Sequence, residues 1–267
     1  MSDTQPKRNI LLVCPHNGWI TWKTARGVFR ASERHIITVN DMSTSLLANG
    51  FNQLLTAGLN MYHKGDITHL AMLHSDVGPD DFWVDVLMDE MEATEAAMVS
   101  AIVAIKDARG VTSCGVGQDD RWNIYRRFTI RELEDLPETF TAEEAGYPGK
   151  PLLVNSGCWL ADLRQPWWHQ TTDGVLDVSF TIRDRILVKD EGYRCEVEPE
   201  DWYISRQLHS LGAKVCATKK VAVHHIGAHD YPNFGNWGAW EHDEATRHHW
   251  GESHDGNTKT PCPAAEP

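Results

Sequence analysis

Short apolar runs broken by turn formers alternate along the first half of the chain with stretches whose apolar positions recur every three or four residues. Ile10 to Cys14 is the first run; Pro15 stops it, and it predicts a buried strand. Thr24 to Ser32 predicts a helix, and Ile36 to Val39 a β-branched second strand. From Ser45 to Tyr62, the residues Leu47, Phe51, Leu54, Leu55, Gly58 and Tyr62 share one helical face. His69 to Leu73 predicts a third strand, and Asp80 or Asp81 can cap a helix running to Glu95. Met98 to Ile105 and Val111 to Val116 predict further strands. Strand–helix alternation of this kind predicts an α/β fold whose mostly parallel sheet is covered by helices on both faces. Ligands of such sheets gather at the carboxyl ends of the strands.

The second half is less regular. Gln118 to Gly149 is polar and reads as an excursion from the sheet. Leu152 to Asn155 resumes a strand that meets Ser156-Gly157, and Val178 to Val197 predicts extended structure or a hairpin, a small antiparallel element. Pro199-Glu200-Asp201 suits a helix start, with Ile204, Leu208 and Leu211 as its core face and Gly212 as its end. Val215 to Ala217 and Val221 to Val223 predict short strands. The polar, Gly/Pro-containing stretch after Trp250 predicts a disordered tail over 251–267, leaving one domain over 1–250.

Composition narrows the function classes. A formal charge of −13 on 267 residues argues against unaided binding of a polyanion. The apolar runs are too short to span a bilayer, and the polar segment before Ile10 does not read as a signal peptide. A soluble, cytoplasmic protein without a membrane partner is expected. The six cysteines are scattered singly, which predicts reduced thiols and no structural zinc site.

Four constellations can carry chemistry. His74-Ser75-Asp76 ends a buried strand, where a carboxylate beside an imidazole suits Mn²⁺ or Mg²⁺; a turn cap by Asp76 is the plainer alternative. Glu198-Pro199-Glu200-Asp201-Trp202 offers either helix caps or a general base in Asp201, kept ionised by the helix dipole. Val221 to Gly227 closes a strand on His224-His225, one of which can be a metal ligand. The later His229, His242, His248, His249 and His254 read as exposed residues, since the spacing after His242 is not that of a helical zinc protease. Asn155-Ser156-Gly157-Cys158-Trp159 allows close approach of a ligand, while Trp159, Trp202, Trp237 and Trp240 read as core or as sugar-stacking faces. The basic pairs Arg126-Arg127 and Lys219-Lys220 read as solvated surface.

In order, Cys14-Pro15, Phe51-Asn52, His74-Ser75-Asp76, Asn155-Ser156-Gly157, Glu200-Asp201 and His225-Ile226-Gly227 resemble the motifs of GT-A-fold nucleotide-sugar glycosyltransferases, particularly the inverting family-two type. The resemblance runs from Ile10 to about Trp240. It implies a Rossmann-like GT-A domain, a nucleotide-sugar donor (UDP-linked by expectation) and Mn²⁺ or Mg²⁺ as cofactor. It further implies Asp76 and His225 as metal ligands, with His224 the alternative to His225, and Asp201 as base beside Glu200. Pro15, Asn17, Asp41, Asn52, His74, Ser75 and Asp76 would line the nucleotide. His74 stands where the family's motif has its first aspartate. The acceptor is left open among small molecules, glycans, proteins and the hydroxymethylated DNA bases glycosylated in phage settings. Two other readings compete. One is sugar-phosphate nucleotidyl transfer, disfavoured because Pro15 to Trp19 lacks a glycine-rich basic loop; the other is a non-enzymatic, metal-dependent carbohydrate-binding protein.

Overall fold

The computed structural model describes residues 7–190, 192–235 and 237–238, without the side chain of residue 125. The elements run β1 (Asn9–His16), α1 (Trp22–Arg34), β2 (Ile36–Ser43), α2 (Leu47–His63), β3 (His69–Leu73), β4 (Val77–Pro79), α3 (Trp83–Thr94), β5 (Met98–Ala101), β6 (Val111–Gly117) and β7 (Ile124–Thr129). They continue with β8 (Thr139–Phe140), β9 (Leu152–Leu153), β10 (Cys158–Asp162), β11 (Thr171–Thr172), β12 (Val175–Leu176), β13 (Arg183–Lys189) and β14 (Gly192–Glu198). The last are α4 (Glu200–Ser210), β15 (Val215–Thr218), β16 (Val223–Ile226) and β17 (Asp230–Pro232). The expected tail over 251–267, Trp240 and the histidines from His242 onwards lie outside the described residues.

The molecule is a mixed α/β fold around a seven-stranded sheet ordered β2-β1-β3-β10-β5-β15-β8. β2, β1 and β3 run parallel, and β5 and β15 are parallel to each other. β10 is antiparallel to both β3 and β5, so those two point the same way. Strand alternation sorts the core into two layers. Leu11, Val13, Leu70 and Met72 face α2 and α4, through Phe51, Leu54, Ile204 and Leu208. Ile10, Leu12, Ala71 and Leu73 face α1 and α3, through Ala31, Trp83, Val84 and Leu87. Each such aliphatic side chain, withdrawn fully from water, contributes about 1.5–3 kcal/mol before chain entropy is set against it.

Two expectations need correction. Cys158 to Asp162 is a central strand, whereas the apolar pattern predicts one only over Leu152 to Asn155, where β9 shrinks to two residues. With all five residues of β10 buried, neither face alternates with polar positions, so periodicity cannot mark it. The polar segment over 118–149 is not a free excursion. Its β7 pairs with β6, which also pairs with β9, and its β8 closes the sheet edge against β15. The hairpin expected within 178–197 is β13–β14.

Trp159 and Trp168 are fully buried and stack with centroids 6.4 Å apart and planes 7° apart. Trp159 and Trp202 are therefore core residues, not sugar faces. The five described cysteines are free thiols, all buried except Cys195. No described helix is long and apolar enough to cross a membrane.

Candidate functional site

Strand order reverses about β1: the chain steps from β1 to β2 on one side and returns to β3 on the other. A crevice forms at the carboxyl ends of strands at such a point, because the following connections diverge. β1 ends there in Pro15-His16, and β3 in His74-Ser75-Asp76. The loop after β1 crosses the end of β3: Thr21 N–H donates to the Ser75 carbonyl at 2.8 Å, and Thr24 Oγ1 does so at 3.0 Å. The Ser75 amide in turn donates to the Pro15 carbonyl at 3.4 Å. Ser75 is thus buried and pins the two strand ends together.

A second set of residues arrives from the far end of the chain. β16 pairs with β4, placing His225 opposite Val77 and His224 opposite Gly78. The Ile226 amide donates to the Asp76 carbonyl at 2.7 Å. Successive strand residues point to opposite faces, so the two histidines separate. His224 meets Asp230, its Nδ1 2.9 Å from the carboxylate. His225 turns to Asp76, its Nε2 3.7 Å from Oδ2. Of the two histidines left open by the sequence, His225 is the one brought to Asp76.

The tautomer of His225 follows from its other nitrogen. Nδ1 lies 2.7 Å from the Ala104 carbonyl, which can only accept, so Nδ1 carries a proton. In the neutral ring, Nε2 therefore presents a lone pair to the Asp76 carboxylate. A proton or a cation between them turns that repulsion into attraction, and a backbone carbonyl behind the ring is the usual support of a metal-binding imidazole. Asp76 and His225 are the two described side chains that could hold a divalent ion here. Among the described residues no third His, Cys, Asp or Glu completes a cage.

Lys106, which no motif in the sequence marks, donates its ammonium to Asp76 Oδ2. Burial alone would raise the Asp76 pKa, but His225 and Lys106 hold the carboxyl well below the usual range. Glycine at 227 makes room for this lysine: a Cβ there would lie 2.9 Å from Lys106 Cδ. Gly157 is similarly constrained, since a Cβ would fall 2.4 Å from Asn155 Oδ1. Its carbonyl accepts from the His74 amide at 2.8 Å. The His74 ring packs on Phe51 at 5.1 Å with Nε2 3.3 Å from Ser156 Oγ, and burial pushes its pKa down to about 4. His74 is therefore a neutral residue at neutral pH and brings no charge to the site.

The remaining expected residues divide. Asp41 lies within β2 and accepts from His16 Nε2 at 2.9 Å, while Gly18 N–H donates to His16 Nδ1 at 2.9 Å; His16 is the last residue of β1. Asn17 is exposed in the loop beside it. Asn52 instead plays a structural part. Its side-chain amide donates to the Phe180 carbonyl and accepts from the Phe180 N–H, both at 2.8 Å.

Glu200 and Asp201 open α4, whose first turn is tied to β6 by Trp202 Nε1 donating to the Ser113 carbonyl at 3.2 Å. The expectation that the helix dipole keeps Asp201 strongly ionised fails. Burial, then the charge of Glu200, raise its pKa to about 7, against the opposing Arg127. Burial raises Glu200 as well. Arg127 is not the solvated surface residue expected of it: its guanidinium lies 4.5 Å from the Trp202 ring centroid, and burial lowers its pKa. Its field links Asp201 to Asp107, the residue after Lys106. Lys219 and Lys220 are also engaged, by the Leu133 and Leu136 carbonyls and by Glu90. An arginine in an Arg-Arg pair carries no local mark of burial, so only its aromatic partner reveals it.

No protein-family model matches the sequence, and no curated protein is similar to it. Among solved structures, the chain is similar to A197 from STIV, at 14% identity and a TM-score of 0.45, over 82% of this chain and 86% of that one.

Proposed function

We propose that this protein is a GT-A-type glycosyltransferase that moves a sugar from a nucleotide diphosphate, UDP-linked by preference, to an acceptor hydroxyl. The observation that carries the reading is the meeting of Asp76 with His225, 3.7 Å apart, at the carboxyl end of β3 beside the strand-order reversal. A site for a departing diphosphate needs cationic character at a strand edge. Here an ammonium and an imidazole, its lone pair directed inward, converge on one oxygen of the Asp76 carboxylate.

Asp76 and His225 would hold Mn²⁺ or Mg²⁺, which when bound neutralises charge developing on the diphosphate. The protein's own residues do the rest. Thr21 and Ser75 keep the β1 and β3 ends in register, and Pro15, Asn17 and Asp41 form the rim on which the nucleoside rests. Asp201 takes the proton of the acceptor hydroxyl as that oxygen attacks the anomeric carbon and the bond to the diphosphate breaks. A pKa near 7 suits a general base, because the group is half ionised at neutral pH and basic enough to accept a proton. Glu200 and burial set that basicity, while Arg127 limits it.

The test is a screen for hydrolysis of nucleotide sugars with and without Mn²⁺, followed by acceptor trials on glycans and hydroxymethylated DNA. Release of free nucleotide diphosphate supports sugar transfer. Pyrophosphate release from a nucleoside triphosphate and a sugar phosphate would instead identify nucleotidyl transfer. Sugar binding with no response to nucleotide would identify a carbohydrate-binding protein.

A further inference from the structure

We propose that Lys106 is a built-in counter-ion that holds the metal-binding oxygen of Asp76 in the donor-free protein and passes to the diphosphate when donor and cation arrive together. This rests on the reading of the site as a nucleotide-diphosphate site. The ammonium of Lys106 is bonded to Asp76 Oδ2, the same oxygen that His225 Nε2 faces at 3.7 Å. A divalent cation held by Asp76 and His225 would compete with the ammonium for that oxygen, and like charges at such short range repel strongly. The two occupants therefore exclude each other.

Backbone hydrogen bonds hold the segment that carries Lys106, while its side chain is partly exposed. Ile105 N–H donates to the Val111 carbonyl at 2.9 Å, Asp107 N–H to the Ile105 carbonyl at 2.9 Å, and Ala104 bridges Thr112. The lysine side chain is 34% exposed, and its stem packs against Gly227, where a Cβ would crowd it. A flexible stem ending in a compact charge suits phosphate, which a displaced ammonium would meet at once. A cation arriving alone must push Lys106 into water. A cation arriving with a diphosphate gives Lys106 a new anion. Metal and nucleotide then strengthen each other's binding, and by linkage the coupling is reciprocal.

Titration of Mn²⁺ into the intact protein, followed by electron paramagnetic resonance with and without UDP, reads this coupling directly. Wild type is expected to bind Mn²⁺ weakly alone and more tightly with UDP. Lys106→Met is expected to bind Mn²⁺ alone about tenfold more tightly than wild type and to lose most of the effect of UDP. Lys106→Arg, which keeps the charge, should behave as wild type. Gly227→Ala pushes the stem aside without removing the charge and gives an independent reading if Lys106→Met folds poorly. Equal Mn²⁺ affinity in wild type, Lys106→Met and Gly227→Ala, with UDP still binding alongside Mn²⁺, would overturn the role of Lys106 and leave the donor reading standing. Absence of Mn²⁺ binding in every variant, with or without UDP, would overturn both.

Discussion

Arg127 opposes the protonation of Asp201 while its guanidinium carbon sits 4.5 Å from the ring centroid of Trp202, the next residue along α4. One buried guanidinium thus holds the aromatic that anchors the helix start and tempers the carboxyl beside it. The arrangement explains how an acid at a helix N-terminus can titrate near neutrality. Burial and Glu200 push the pKa up, and Arg127 stops it from rising further.

On the proposed mechanism a base at Asp201 works only when deprotonated, so transfer should rise with pH through about 7 and then level off. Asp201→Asn should abolish transfer and leave donor binding intact. Its stability should move the other way. The folded carboxyl keeps its proton up to about 7, whereas the unfolded one loses it near 3.8, so folding weakens as pH rises between these values. The variant lacks this loss. Its melting temperature should exceed that of wild type at pH 8 and match it near pH 3. Unchanged transfer would remove Asp201 from the base role.

The Asp76–His225 pair makes a prediction about ligand stabilisation. UDP and Mn²⁺ at 100 times their dissociation constant should stabilise wild type by about 2.7 kcal/mol. Asp76→Asn and His225→Gln should each lose most of that gain in a thermal-shift assay. A full shift in both variants would place the nucleotide elsewhere.

Gly227 tests the space beside Lys106. The new Cβ of Gly227→Ala meets the far part of a flexible side chain, so denaturant stability should fall by less than about 1 kcal/mol. A crystal structure of the variant should show the ammonium off Asp76. A lysine still seated on Asp76 would mean that the glycine serves another purpose.

Asn52 offers a contrast between structural and functional roles. Removing its amide strands the N–H and C=O of Phe180, which is 1% exposed. Asn52→Ala should therefore cost about 2–4 kcal/mol in urea unfolding. Nucleotide binding per folded molecule should not change. Loss of nucleotide affinity without loss of stability would return Asn52 to the binding site.

The amphipathic and apolar periods of the first half are enough to predict β1, β2, β3, α1, α2 and α3, but not β4, whose Val77-Gly78-Pro79 reads as a turn until β16 pairs with it. They also mark His74 to Asp76 as the end of a buried strand at the sheet's carboxyl edge. What lies beside that edge is a matter of tertiary pairing. β10 is buried on every side and inserted against the grain of its neighbours, so its order and direction carry no local signal. Which histidine meets Asp76 depends on the register of β16 against β4. The place of Lys106 depends on a glycine 121 positions later in sequence numbering being empty of a Cβ. The pKa of Asp201 depends on how completely packing excludes water around it and on the charges of Glu200 and Arg127, of which only Glu200 is visible in the local sequence pattern. Local order follows from side-chain pattern, whereas charge states and meetings between distant groups follow from what the folded chain removes from water.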